Sequence, residues 1–280
     1  MSFYISLSGL KGAQADLTTI SNNVANVGST AFKKSTAEFG DIFVGQSDGQ
    51  GQGVRTLGSQ QQFTQGTLET TDKTLDLAIT GDGFFTVRTA AGDVAYTRNG
   101  SFGMDQNRNV VDSTGANVQV LPTPPNGDGT PTGTSAADLK NLTVPTLKMD
   151  HTVSPEVPVS PQVELSSISV NTKGVVAATY ADGTTENLGV VAMATFPNQE
   201  GLRQLGDAHW TPSGKSGQAT YGAGDQGQFG QVRSGMLERS NVDITEELVA
   251  LIAAQRNFQA NAKAIDAANQ LTTTITNLRN

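Results

Sequence analysis

The stretch ITEELVALIAAQRNFQANAKAIDAANQLTTTITNL at residues 244–278 decides the fold of this chain. Its apolar residues recur three and four positions apart, which is typical of a helix that buries one side. The series is Ile244, Leu248, Leu251, Phe258, Ala262 and Ile265. No glycine or proline follows Gly235 to interrupt it. Asp243 can cap the first turn and Glu246 can complete a capping box, so we predict one long helix.

A second long helix is predicted at the opposite end, over residues 3–27. Two series of seven-residue spacing share one side of it: Phe3, Leu10, Leu17 and Val24, then Ala13, Ile20 and Val27. This spacing indicates an apolar seam that packs against a partner helix. The seams are thin, so we expect both ends to be poorly ordered in an isolated subunit. Either the two helices dock on their own chain as a hairpin, or neighbouring copies bury the seams.

Composition excludes several classes of protein. The 280 residues carry 18 Lys and Arg against 26 Asp and Glu, and only Lys33-Lys34 forms an obvious basic pair, so a nucleic-acid partner is not expected. No apolar run is long enough for membrane insertion, and MSFYISLSGL lacks the features of a cleavable signal. Cysteine is absent and only two histidines are present, which removes disulfides, thiol nucleophiles and most zinc sites.

Short strands fill the middle of the chain. Alternating or β-branched apolar residues predict strands around 75–79, 84–87, 94–97, 110–111 and 118–120, and again within 163–210. Asn99-Gly100 is a hairpin-turn dipeptide, and Ala181-Asp182-Gly183 separates two further strands. Eight of the ten prolines fall between Pro122 and Pro161, which predicts an extended excursion with one edge strand at 142–144.

The fold class is therefore α+β: a mainly antiparallel β body with long N- and C-terminal helices. Glycine-rich loops at 45–53 and 213–231 are candidate adaptable contacts. The predicted domains are residues 1–30 with 240–280 as the terminal core, 31–73 with 211–239 as linking segments, 74–121 with 163–210 as the antiparallel β body, and 122–162 as a proline-rich stub.

Several short segments match parts of known binding motifs but lack the flanking elements or key residues that those motifs require. Residues 222–227 match a dinucleotide-binding pattern, but a strand-like segment follows instead of a helix, so a surface loop is predicted. Residues 214–216 resemble only the end of a phosphate loop. Residues 105–109 begin like a calcium loop, but Val110 replaces the required glycine. His209 beside Trp210 suggests a packed edge pair. We predict no catalytic residue, cofactor site or metal site, and no enzyme activity.

Both ends of the sequence resemble one known family. The opening SFYISLSGLKGAQADLTTISNNVANVGSTAFKKSTAEFGDIF and the ending SGMLERSNVDITEELVALIAAQRNFQANAKAIDAANQLTTTITNLR resemble bacterial flagellar hook proteins. The segments LDLAITGDGFFTVR, AYTRNGSFGMDQNRNVV and LGVVAMATFPNQEGLRQLGD are similar to the β body of that family. The resemblance covers nearly the whole chain and extends to the related rod proteins.

The resemblance implies that the terminal helices pair as a coiled coil and line the inner tube of a polymer. The residues that match this packing are Leu10, Leu17, Ile20, Val24, Leu248, Leu251, Phe258 and Ile265. The residues that match family motifs are Ser21, Asn22, Asn23, Asn26, Ser240, Asn241, Asp243, Gln255 and Arg256.

The implied function is structural. A hook acts as a universal joint between rod and filament, and its subunits leave the cell unfolded through the flagellar export apparatus. Implied partners are further copies of the chain, the hook cap, the rod and the hook–filament junction. Residues 122–162 stand where hook proteins usually carry a larger outer domain, so a straight rod remains the alternative. A surface adhesin and a carbohydrate-binding β protein are weaker alternatives.

Overall fold

The computed structural model describes residues 2–42, 53–125, 127–150, 157–158 and 162–278. It forms two compact units: residues 1–64 with 240–280, called the terminal unit, and residues 65–239, called the β unit. The segments predicted as linkers are therefore shared between these units and form no unit of their own. The loop at 45–53 lies almost wholly outside the described residues.

The terminal unit holds the two predicted helices and one β-ribbon. Helix α1 spans Ser2–Ala25 and helix α2 spans Ile244–Leu278, and the two lie against each other. Helix α1 ends two residues before the predicted end, where the Asn26 side-chain amide donates to the Asn22 carbonyl at 2.9 Å. The sequence did not predict the antiparallel ribbon of β1 (Ser35–Asp41) and β2 (Val54–Gln61).

The β unit contains the remaining strands. They are β3 Leu68–Thr70, β4 Leu77–Thr80, β5 Phe84–Arg88, β6 Val94–Thr97, β7 Gly103–Met104, β8 Val110–Val111, β9 Asn117–Leu121, β10 Lys140–Asn141, β11 Met149–Asp150, β12 Val157–Pro158, β13 Leu165–Val170, β14 Val175–Tyr180, β15 Thr185–Val191, β16 Met193–Thr195, β17 Arg203–Gly206, β18 His209–Thr211, β19 Thr220–Gly222, β20 Gln231–Ser234 and β21 Met236–Glu238.

One large antiparallel sheet organises this unit, with the strand path β13-β14-β15-β9-β5-β6-β18-β17. Pairs β4–β20 and β3–β21 lie outside that path. The largest core cluster gathers the inward residues of several strands, among them Ile79, Phe85, Val87, Val118 and Val191. Alternation along short strands produces this core because every second side chain points to the same face.

The predicted turn at 181–183 is confirmed, and it joins β14 to β15 with Gly183 at φ 79°. Two other local predictions are wrong. Asn99-Gly100 does not connect two paired strands, because the Gly100 carbonyl instead accepts the Leu77 backbone N–H at 2.9 Å. Residues 142–144 are not a strand, because β10 ends at Asn141 and Thr143 forms only an isolated bridge to Asn109.

The chain enters the β unit just before β3 and leaves it just after β21. These two strands pair with each other, so the entry and the exit are adjacent. Buried Glu238 on β21 accepts the Gly66 backbone N–H at 2.9 Å. Its other carboxylate oxygen faces the buried guanidinium of Arg98 at 3.6 Å. Arg98 in turn lies over the Phe84 ring, 5.3 Å from its centre. The buried Arg98–Glu238 pair thus holds β3 and β21 against the large sheet.

Candidate assembly interface

Asn23 is the centre of a polar network in the terminal unit. It lies near the C-terminal end of α1 and is only 1% exposed. Its Oδ1 accepts the Ser35 backbone N–H at 2.9 Å, and its Nδ2 donates to the Ser35 carbonyl at 2.8 Å. The same Nδ2 donates to Glu247 Oε2 at 3.0 Å. One amide therefore binds α1 to both β1 and α2.

Glu247 is a buried carboxylate that Lys34 neutralises. The Lys34 Nζ lies 2.7 Å from Glu247 Oε1 and 3.3 Å from the exposed Glu246 carboxylate. Burial by itself lowers the pKa of Lys34, but the two glutamates outweigh it and raise the pKa. Burial and the nearby Glu247 charge raise the pKa of Asp16 on α1. This local electrostatic arrangement favours the protonated form of Lys34.

Asn241 fixes the chain just before α2. Its Oδ1 accepts the Lys34 backbone N–H at 2.7 Å, and its Nδ2 donates to the carbonyls of Gln62 and Thr64 at 2.9 and 3.1 Å. Ser240 Oγ accepts the Val242 backbone N–H at 3.3 Å. These bonds add to a backbone bond from the Asn241 N–H to the Phe32 carbonyl at 3.4 Å.

Asp243 caps α2 as the sequence predicted. Its Oδ1 accepts the backbone N–H groups of Thr245 and Glu246 at 2.7 and 3.2 Å, and these bonds lower the pKa of Asp243. The Glu246 carboxylate binds Lys34.

The other motif residues lie apart from this network. Ser21, Asn22, Gln255 and Arg256 have exposed side chains. Asn26 closes the turn after α1, where its Oδ1 accepts the Ser29 hydroxyl at 3.1 Å.

The two helices meet through small and polar residues. Cavities of about 250 and 330 Å³ lie between them and are lined from both sides. A Cβ added to Gly9 would stand 2.6 Å from the Asn261 side chain, so the helices approach closely there. The lining positions on α1 include Gly9, Gly12, Asp16, Thr19 and Asn23, and those on α2 include Glu247, Ala250, Ala254, Asn257 and Asn261. We call these two rows the inner stripe.

Most positions of the inner stripe directly precede a residue of the predicted apolar seam, although Ala13 and Ile20 of the seam line the same cavities. Asn23 stands before Val24, for example, and Glu247 stands before Leu248. One residue is a rotation of about 100° around a helix. The seam consequently lies beside the helix contact: Ile20 is buried, whereas Leu10, Leu17, Val24, Leu251, Phe258 and Ile265 are partly buried.

The start of α2 carries an exposed apolar patch, formed by Ile244, Leu248, Val249 and Ile252. Their exposed fractions are 48%, 47%, 65% and 51%. The predicted packing residue Leu248 thus has no full cover within its own chain. Large apolar side chains gathered on one helix face commonly mark an interaction surface.

Comparison with known proteins shows the family to which this chain belongs. The flagellar basal-body rod protein FlgG of Bacillus subtilis is 33% identical, over 99% of this chain and 98% of that protein. The chain belongs to the flagellar hook and rod protein family. A model of the FlgE/F/G D1 domain of flagellar hook proteins matches residues 78–178, and a model of the C-terminal region of flagellar basal-body rod FlgEFG proteins matches residues 233–278.

Hook proteins of this family align from end to end. The flagellar hook protein FlgE of Salmonella typhimurium is 28% identical over 405 aligned residues, which cover all of both chains. The crystal structure of Helicobacter pylori hook protein FlgE2 matches with 15% identity and a TM-score of 0.25, over 69% of this chain and 47% of that one. Members of the family are structural components of the flagellum.

The motifs that imitate enzyme sites lie in loops and turns of the β unit. Residues 222–227 lie at the end of β19 and in the loop before β20, and residues 105–109 form the turn between β7 and β8. Within the described part of the chain, no group of three metal-ligating side chains occurs. No described helix has the length and hydropathy to cross a membrane.

Proposed function

We propose that this chain is a structural subunit of the flagellar hook. Copies would polymerise into a flexible tube that transmits torque from the rod to the filament. The membership of the hook and rod family supports a structural role, and the end-to-end alignment with hook proteins supports the hook. Further partners implied by this role are the hook cap, the rod, the hook–filament junction and the export apparatus.

The exposed patch on α2 is the observation that carries the proposal. The inner stripe joins α1 and α2 of one chain, so the exposed patch and the partly buried seam residues beside the stripe remain available to a second copy. Burying one Leu or Ile side chain contributes about 1.5–3 kcal/mol. Ile244, Leu248 and Ile252 together can therefore drive association once they are covered. In this arrangement, the helices pair as a coiled coil within and between copies.

A substitution on the patch tests assembly. Leu248→Asp with Ile252→Asp places two charges on the proposed contact, and we expect monomers with unchanged helix content by circular dichroism. Ala260→Asp adds the same kind of charge at an exposed position of α2 outside both rows, and it should still form tubes. Tubes from the double variant would contradict the proposed interface.

A deletion of residues 244–280 should likewise leave a folded β unit that cannot polymerise.

The rod is the second candidate because of length. The alignment with FlgG runs over 295 residues, close to the 280 of this chain, whereas that with FlgE runs over 405. Electron microscopy of tubes assembled from the purified chain separates the candidates: curved tubes support the hook and straight tubes support the rod. Expression in strains that lack either the hook protein or the distal rod protein gives an independent readout through motility.

A further inference from the structure

His209 and Asp112 form a buried pair in the β unit. His209 begins β18 and Asp112 follows β8, and the distance between His209 Nε2 and Asp112 Oδ2 is 2.6 Å. Their side chains are 8% and 3% exposed. The sequence suggested only that His209 packs beside Trp210 at a sheet edge. The structure instead places β18 between β6 and β17, with the imidazole bound to a carboxylate.

Hydrogen bonds stabilise the ionised form of Asp112. Its Oδ1 accepts the Thr114 backbone N–H, the Thr114 hydroxyl and the Ala116 backbone N–H at 2.8, 2.7 and 2.9 Å. Burial alone would raise the pKa of Asp112, but the bonds from His209, Thr114 and Ala116 outweigh burial and lower it to about 2. The same carboxylate thus fixes the turn between β8 and β9 and faces His209.

The surroundings of His209 favour its protonated form. Burial lowers the pKa of His209, but Asp112 and then Asp207 outweigh burial and raise it. These two are the charged groups that face the imidazole, one from the β8–β9 turn and one from the β17–β18 turn. A charged imidazole in contact with a charged carboxylate is therefore the favoured state near neutral pH.

The hairpin that carries His209 is strained. Asp207 and Ala208 connect β17 to β18, and both adopt left-handed backbone conformations, at φ 51° and 56°. Such a conformation is unfavourable for a non-glycine residue, because its Cβ comes close to the following carbonyl oxygen. Strand β17 lies at the edge of the sheet, so it has one neighbour. Side-chain contacts hold the turn: the Thr97 hydroxyl donates to the Ala208 carbonyl at 2.8 Å, and His209 binds Asp112.

We propose that the β17–β18 hairpin is a pH-sensitive element of this subunit, which the His209–Asp112 pair holds closed against the strain of its turn. Because the pKa of His209 is raised on folding, its contribution is complete below about pH 6.5 and is lost as the pH rises through the folded value. Because the pKa of Asp112 is lowered, its contribution is present above about pH 3.8 and is lost as the pH falls through about 2. The hairpin therefore loosens on the alkaline side, where the imidazole loses its charge.

Hydrogen exchange on the full-length chain tests the proposal. We expect the protection of the Gln204 and Trp210 amides, corrected for intrinsic exchange, to fall at least about threefold from pH 6 to pH 9. For comparison, a pKa difference of one unit between the closed and open states would give a fall of about tenfold. The β14–β15 hairpin is the internal reference and should not change. His209→Gln should remove the pH dependence, whereas His151→Gln, which changes the other histidine, should retain it.

Two further variants separate the charge pair from general damage. Asp112→Asn keeps the size of the side chain and should also flatten the pH profile. Ala208→Gly relieves the left-handed strain, so protection should rise by a similar factor at pH 6 and pH 9 while the fall between them is retained. The proposal is overturned if the wild-type hairpin shows constant protection, if His209→Gln shows the same fall, or if Ala208→Gly does not raise protection.

Discussion

The side chains of Asn23 and Glu247 meet at 3.0 Å although 224 positions separate them in the chain. This buried contact selects which face of α1 meets which face of α2. A polar residue in a helix contact can specify one register against alternatives, since any other register would leave its buried groups without partners. Most of the apolar seam thereby lies beside the contact within the chain, where a second copy can reach it, while Ile20 is buried.

Replacing Asn23 should weaken the terminal unit selectively. Asn23→Ala leaves the Ser35 backbone groups and one Glu247 oxygen without this partner, so we expect a loss of about 2 kcal/mol in unfolding free energy. Loss of helical signal by circular dichroism during urea unfolding measures it. Asn22→Ala removes the neighbouring exposed side chain and should change stability by less than about 0.5 kcal/mol. Equal effects of the two variants would refute a special role for Asn23.

Two adjacent glutamates should differ sharply in their contribution to stability. Glu247 is 2% exposed and Glu246 is 70% exposed, and both contact Lys34. Glu247→Gln removes the buried charge and leaves Lys34 with only the solvent-exposed partner, so a loss of about 1–3 kcal/mol is expected. Glu246→Gln should cost at most about 0.5 kcal/mol. Thermal unfolding followed by circular dichroism compares them, and a larger effect at position 246 would contradict the structure.

Gly100 should tolerate no side chain. A Cβ at this position would stand 1.7 Å from the Leu77 carbonyl oxygen, which is backbone and cannot move aside without breaking the bond between these segments. We expect Gly100→Ala to destabilise the β unit by at least about 3 kcal/mol. Gly103→Ala is the matched control, because its Cβ would meet open space. Tryptophan fluorescence of Trp210 during urea unfolding reports on this unit, and similar midpoints for the two variants would be inconsistent with the close approach.

The Arg98–Glu238 pair should contribute as a unit. Glu238→Gln leaves the guanidinium buried without its counter-charge, and a loss of about 3–5 kcal/mol is expected. Adding Arg98→Met should restore part of that loss, because the second substitution removes the uncompensated charge. The exposed Arg239–Glu69 pair is the control, and Arg239→Met should cost less than about 1 kcal/mol. Additive effects of the two buried substitutions in urea unfolding would show that the residues act independently.

The sequence predicted the helices well because periodicity, the Asp243 cap and the absence of glycine and proline in α2 all agree. It missed β1 and β2 because STAEFGD and VRTLGSQQ alternate only weakly between polar and apolar residues. The prediction for Asn99-Gly100 failed because a local turn signal does not reveal which distant strand pairs with the flanking residues.

The candidate interface was predicted only in part. Family resemblance selected Asn23, Asn241 and Asp243, but not Lys34 or Glu247, since a buried charge cannot be distinguished from a surface charge in one sequence. Gly9, Ala254 and Asn261 carry no apolar signal, so the inner stripe escaped notice. The one-residue offset between the seam and the inner stripe is a weak sequence signal: small residues recur immediately before the seam positions on both helices.

The paired strands β3 and β21 have a mechanical consequence. A lone covalent tether acts as a swivel, because rotation about its single bonds dissipates an applied twist. This polypeptide passes between its two units twice, and hydrogen bonds fasten the two passages side by side where they enter and leave the β unit. Neither passage can therefore unwind within the β unit unless the pairing of β3 with β21 is broken as well.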